Sequence, residues 1–231
     1  MAQSSATHSS SAAVIRLSFW SAVLTAVFAA AFLAVGIATP VRNVPYPYVP
    51  SFISGDYLWM YPAFLLAPTV VVLVASIHYH AADDKKAFSL IAVSFAIVYA
   101  AVITSDYFIQ WTVVAPSIAS GETAGLALWT QYNPHGLLVS LESLGYLALS
   151  GALLFAAMVL SGGKLERILR LVFVAGFILA AGSFAVLALL GYPIVTFEVA
   201  IITISCVVLI ISGVLLSVLF RQNWRNVTHR V

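Results

Sequence analysis

Three carboxylates stand inside long apolar runs of this 231-residue chain: Asp106, Glu142 and Glu198. A carboxylate surrounded by hydrocarbon is costly to ionise, so such groups hold protons, bind cations or work as acid–base pairs. Their spacing from basic residues sets their depth. Asp106 lies 20 residues after Lys86, Glu142 lies 22 before Lys164, and Glu198 lies 23 before Arg221. On helices these separations correspond to about 30, 33 and 35 Å, which is one level reached from three segments. Three acids at one level repel one another if all are ionised. At least one therefore keeps a proton, or a cation shares the layer.

Other polar side chains reach the same level. Gln110 follows Asp106 by one helical turn. His135, Glu142 and Tyr146 are spaced i, i+7, i+11, close to one helical face, with Leu138 and Val139 between them. Asn133-Pro134 reads as an N-cap followed by proline at the first helical position, which starts a helix at His135 and aims His135 and Glu142 along one stripe. Asp56 precedes the second apolar segment and joins the layer from above. Arg42 sits among Pro40, Pro45, Pro47 and Pro50 in a stiff, extended segment and is the counter-ion that could fold over the layer. The candidate ligand-binding set is thus Asp106, Gln110, His135, Glu142, Tyr146, Glu198, Asp56 and Arg42. Within it, Glu198 occupies the first turns of its helix, where the dipole favours an acid, whereas Asp106 lies toward a C-terminal end, where the dipole opposes it.

These residues need six helices to carry them. The chain is 62% hydrophobic and 8% charged, against about 25% charge in an ordinary soluble domain. Surplus apolar surface of that extent must face lipid, and a helix crosses the hydrocarbon in about 20 residues. Six segments qualify: 13–38, 57–78, 87–114, 135–160, 165–190 and 194–220. The expected fold is an all-α membrane protein, a bundle of six transmembrane helices. The polar 1–12 stretch reads as a disordered cytoplasmic tail, and 221–231 as a basic one. The first apolar run is longer than the core of a signal peptide, and Gly36-Ile37-Ala38-Thr39-Pro40 is a poor cleavage site, so this helix is expected to be retained.

Basic residues orient the bundle. With six spans, nine of the ten Lys and Arg residues fall on one side and only Arg42 on the other. Both termini are then cytoplasmic, and the segments 39–56, 115–134 and 191–193 lie outside. The Asn226-Val227-Thr228 sequon would face the cytoplasm. Small residues at four-residue spacing (Gly176/Ala180, Ala181/Ala185, Ala152/Ala156) suit close helix packing. Pro68 is expected to kink the second span. The 115–134 segment reads as membrane-hugging, with 123–129 able to form a short helix across the bundle.

Several chemistries drop out. The basic residues form no stripe of the kind nucleic acid requires. Cys206 is the single cysteine, which removes an intramolecular disulfide and paired-thiol chemistry. His78 and His80, two residues apart, point to different helical faces, so the sequence implies no metal site and no cofactor. Nucleophile elbows, phosphate loops and zinc-protease motifs are missing from the sequence.

Residues 105–146 carry a resemblance. The runs Ser105-Asp106-Tyr107-Phe108-Ile109-Gln110, Gly121-Glu122-Thr123, Gln131-Tyr132-Asn133-Pro134-His135-Gly136 and Leu141-Glu142-Ser143-Leu144-Gly145-Tyr146 resemble those of functionally uncharacterised small bacterial six-span membrane proteins. The resemblance implies a bacterial inner-membrane setting and no mechanism.

The functional expectation is an outward-facing acidic pocket in the lipid bilayer for a cation or small polar ligand, serving transport or sensing. The alternatives are an intramembrane acid–base enzyme using Asp106, His135 and Glu142 on a lipid-derived substrate, or a non-catalytic accessory subunit. Oligomeric state is left open by the sequence.

Overall fold

The computed structural model describes residues 2–39, 44, 46–51, 55–191 and 193–228. Seven α-helices follow in chain order: α1 (Ala2–Ala38), α2 (Met60–His80), α3 (Lys86–Ile109), the short α4 (Ala115–Ala119), α5 (Leu137–Val159), α6 (Lys164–Leu190) and α7 (Ile194–Thr228). No strand occurs among the described residues. Six helical stretches are long and apolar enough to cross a membrane, from Ala13–Ala38 to Ile194–Gln222.

Each long helix packs on its neighbours in sequence, and α1 closes the circuit against α7. The six thus form a ring, with α5 reaching across it to touch α2 and α7 as well. This central role follows from composition, because α5 carries Gly145, Gly151, Ala152 and Ala156 on its buried surface. A Cβ placed on Gly145 would stand 2.9 Å from Cδ1 of Ile103, so α3 and α5 approach as closely as side chains permit. The α1–α7 seam is closer still. A Cβ on Gly213 would meet the Ala22 carbonyl oxygen at 2.6 Å and the Ala26 backbone nitrogen at 2.9 Å. Backbone-to-backbone approach of this kind is how helices gain contact energy where lipid is as apolar as the side chains. The small pairs Gly176/Ala180 and Ala152/Ala156 are buried, whereas Ala185 is exposed, so that third pair does not make a seam.

Basic side chains tie off helix ends at the lower rim of the bundle. Lys86 Nζ donates to the His78 carbonyl at 2.9 Å, and Lys85 Nζ to that of Val159 at 3.3 Å. Both carbonyls belong to final turns, where cations favour the dipole. Glu166 accepts the Ser161 and Gly162 N–H groups at 2.9 and 2.6 Å and caps the entry to α6. His78 and His80 face different helices, bonding Ser89 of α3 and Ser18 of α1.

Several boundaries differ from expectation: α2 covers Met60–His80 in place of 57–78, and α7 runs on to Thr228, through most of the stretch expected to be a basic tail. Helix α1 starts at Ala2, so 2–12 continues it in place of a separate disordered tail; no Gly or Pro interrupts that stretch. Helix α3 does not stop at 114 but passes through a π-turn, Gln110–Val114, into α4. Pro116, which lacks an N–H, removes the α-type bond in that region and makes a wider turn cheaper. Helix α5 begins at Leu137 rather than 135. Asn133 uses its Oδ1 to accept the His135 N–H at 2.9 Å and its Nδ2 to reach the Ala127 carbonyl, so 133–136 is a turn held to the preceding segment. Gly136 is the N-cap of α5.

Gly213→Ala should break the α1–α7 seam and cost about 1–3 kcal/mol of stability, as overpacking does. Gly36→Ala on the same helix pair, where an added Cβ meets nothing within 4 Å, should instead stabilise by about 0.5–1 kcal/mol. Thermal denaturation of the two variants in detergent checks the opposite signs.

Candidate functional site

The upper end of the ring, where the 115–136 segment crosses it, holds the acids. Asp106 near the end of α3 and Glu142 in the second turn of α5 are buried, at 1% and 0% exposure. Glu198, in the second turn of α7, is half-buried. Glu142 and Glu198 come together on the lining of one cleft. One side chain joins them: Gln131 Nε2 donates to Glu142 Oε2 and, at 3.2 Å, to Glu198 Oε1. The other oxygen of Glu142 accepts the Tyr107 hydroxyl. Two carboxyls brought to one amide repel each other when both are ionised, and either a proton or a cation relieves that repulsion.

Asp106 stands behind this pair, near enough to Glu142 for their charges to repel. The Gln110 side chain lies beside it, yet neither Asp106 oxygen receives a well-formed hydrogen bond. Gln110 turns its Nε2 to the Trp129 carbonyl instead, at 2.9 Å, which fastens the crossing segment to the π-turn. Below Glu142, the rings of Tyr146 and Tyr99 pack 5.6 Å apart, and Phe32 of α1 stacks on Tyr146 at 6.4 Å. The hydroxyls of Tyr99 and Tyr146 and the Oγ of Ser143 are buried without hydrogen-bond partners.

A cleft of about 450 Å³ opens onto the Glu142–Glu198 pair. Glu142, Glu198 and Gln131 form its inner floor, and its sides are mostly apolar residues from the upper ends of α1 and α7, completed by Trp59, Tyr132 and Pro134. No Lys, Arg or His is among the described residues that line it. The cleft therefore presents concentrated acceptor groups in an apolar frame, the surroundings in which charge-assisted hydrogen bonds are strongest.

The eight residues singled out from sequence divide accordingly. Glu142 and Glu198 face the cleft together, with Asp106, Gln110 and Tyr146 buried around them. His135 is exposed in the turn before α5 and lies off the cleft lining, because the Asn133 turn takes it off the helix that carries Glu142. The proposed His135–Glu142–Tyr146 stripe thus keeps only its last two members. Asp56 is buried in the turn ahead of α2 and does not line the cleft. Arg42 lies outside the described residues. Gln131 and Tyr107, which hold Glu142, were missed. Tyr107 adjoins Asp106 and faces the buried layer only because of the rotation of α3. Gln131 arrives from a loop, where no periodicity assigns a face.

Compared with protein-family models, curated proteins and solved structures, the chain matches none of them.

The two central acids should respond oppositely to apolar replacement. Asp106→Leu keeps the branched shape and removes a buried polar group lacking hydrogen bonds, so it should raise stability by about 1–3 kcal/mol. Glu142→Met strands the Tyr107 hydroxyl and the Gln131 amide and should lower stability by a similar amount, about 1–3 kcal/mol. Unfolding midpoints of both variants without ligand test the pair of signs.

Proposed function

We propose that this chain is a multi-pass protein of a bacterial inner membrane, with both termini cytoplasmic, and that its cleft is an outward-facing pocket for a cation or a small cationic or polar ligand, serving transport or sensing. The observation that carries this reading is the Glu142–Glu198 pair, two carboxyls from different helices bridged by one amide at the floor of an apolar-walled cleft. Such a pair exchanges a proton for a cation readily, since either one relieves the same repulsion. Asp106 adds a third negative group at a stability cost that packing alone does not reward, the pattern expected where function holds a residue in place. The nine-to-one division of basic residues supports the orientation. The cleft separates this reading from one in which the acids merely join helices. The acid–base enzyme reading draws no support from His135, which is exposed and off the cleft.

Ligand binding would raise the unfolding midpoint by mass action, by about 2.7 kcal/mol at a hundred times Kd. A panel of monovalent and divalent cations and short primary and quaternary amines, screened against the detergent-solubilised protein, should contain a stabiliser whose effect vanishes in Glu142→Gln/Glu198→Gln. No stabiliser in the panel, or one acting equally on the double variant, would refute the pocket.

Orientation has its own test. In a Cys206→Ser background, Ser120→Cys should react with a membrane-impermeant maleimide on intact spheroplasts, and Asp84→Cys only after permeabilisation. The reverse pattern would invert the proposed topology.

A further inference from the structure

The shape of the cleft narrows the ligand class, an inference that rests on the pocket reading above. Helices α1 and α7 run antiparallel and come to backbone contact where Gly213 meets Ala22 and Ala26. Ten residues up each helix, about 15 Å above that contact, Phe32 and Thr203 line the lower end of the cleft. Its lining continues along both helices to Thr39 and Val195 at the top. Ile37, exposed by 79%, and Val199, exposed by 50%, form the lips of the opening. Apolar side chains exposed to that degree at the level of the spans belong to a lipid-facing surface, so the cleft opens sideways, between two helices, as well as upward.

Its polar groups are concentrated at one level. The carboxyls and the Gln131 amide share the floor, and about one helical turn below Glu198 the lining passes to Ile202 and Thr203, with Phe32 and Leu33 of α1. An outer-leaflet amphiphile is arranged in the same sense, with its head at the interface and its chain directed to the bilayer centre. The charge of the floor selects the head. Glu142 and Glu198, backed by Asp106, whose 1%-exposed carboxyl has no hydrogen bond on either oxygen, repel phosphate-bearing heads and attract an ammonium that donates hydrogen bonds. We infer that the occupant is a membrane-borne long-chain amine, a cationic amphiphile without a phosphate, which enters from the lipid between α1 and α7, sets its ammonium on the Glu142–Glu198 pair and lays its chain along Phe32 and Ile202.

Photolabelling in phosphatidylcholine nanodiscs tests this. The probes are a long-chain primary amine and the corresponding alcohol, each carrying a diazirine midway along the chain, with labelled peptides mapped by mass spectrometry. The amine should label 32–37 and 199–203 about tenfold more than the alcohol, the factor a charge-assisted hydrogen bond supplies. Glu142→Gln/Glu198→Gln should abolish that excess. Gly36→Leu fills the mouth where an added Cβ meets nothing within 4 Å. It should cut amine labelling yet preserve the thermal shift from a short, water-soluble amine. Equal labelling by amine and alcohol, or labelling indifferent to Gly36→Leu, would overturn lateral entry while the short-amine shift keeps the pocket standing. Loss of a glutamate-dependent shift for the short amine as well would remove the pocket and this inference together.

Discussion

The contact between Gly213 and the Ala22–Ala26 stretch governs the architecture around it. It lies on the seam where the first long helix packs along the last, and that seam closes the ring. A backbone approach this close tolerates no added side chain. The cleft lies between the same two helices toward their upper ends, and the enclosure of α5 by its neighbours follows from the closed ring. With a bulkier residue at Gly213, the seam that carries one wall of the cleft on each helix would have to open.

Enclosure of α5 buries Glu142, and the surrounding chain is arranged to meet its needs. Tyr107 comes from α3 and Gln131 from the crossing segment, so both oxygens are satisfied by donors from different elements. The crossing segment is held in turn by the Asn133 bond to Ala127 and the Gln110 bond to Trp129. Asp106 is buried at the same depth without such support on either oxygen among the described residues. A buried polar group lacking partners lowers stability, and nearby groups that are fully satisfied show that the fold is capable of supplying them.

Much of this was legible in the sequence, for a physical reason. Lipid imposes a fixed thickness, so counting residues from Lys86, Lys164 and Arg221 gave depth, and depth is what Asp106, Glu142 and Glu198 share. Depth says nothing about azimuth. The rotation that turns Tyr107 inward, and the ring order that sets α7 against both α1 and α5, depend on tertiary packing. Local chemistry misled at Asn133: its side chain reads equally as a helix cap and as the head of a turn, and the turn prevailed because Ala127 offered a second bond. The π-turn at Gln110–Val114 had a cue in Pro116, but proline two residues past an expected helix end also reads as a simple stop.

The order of helices around the ring also bears on how the protein is made. Neighbours in sequence are neighbours in space at every step but the last, so each helical hairpin can assemble as it leaves the ribosome. The closing seam joins the two ends of the chain and carries the largest loop-closure entropy of the fold. Glu198 and Gly213 both arrive with that final helix. Until α7 is in place, Glu142 lacks its partner carboxyl and α1 lacks its wall, so no truncated or half-synthesised chain displays a finished site. Closure of the ring and completion of the cleft thus come in a single step, when α7 docks.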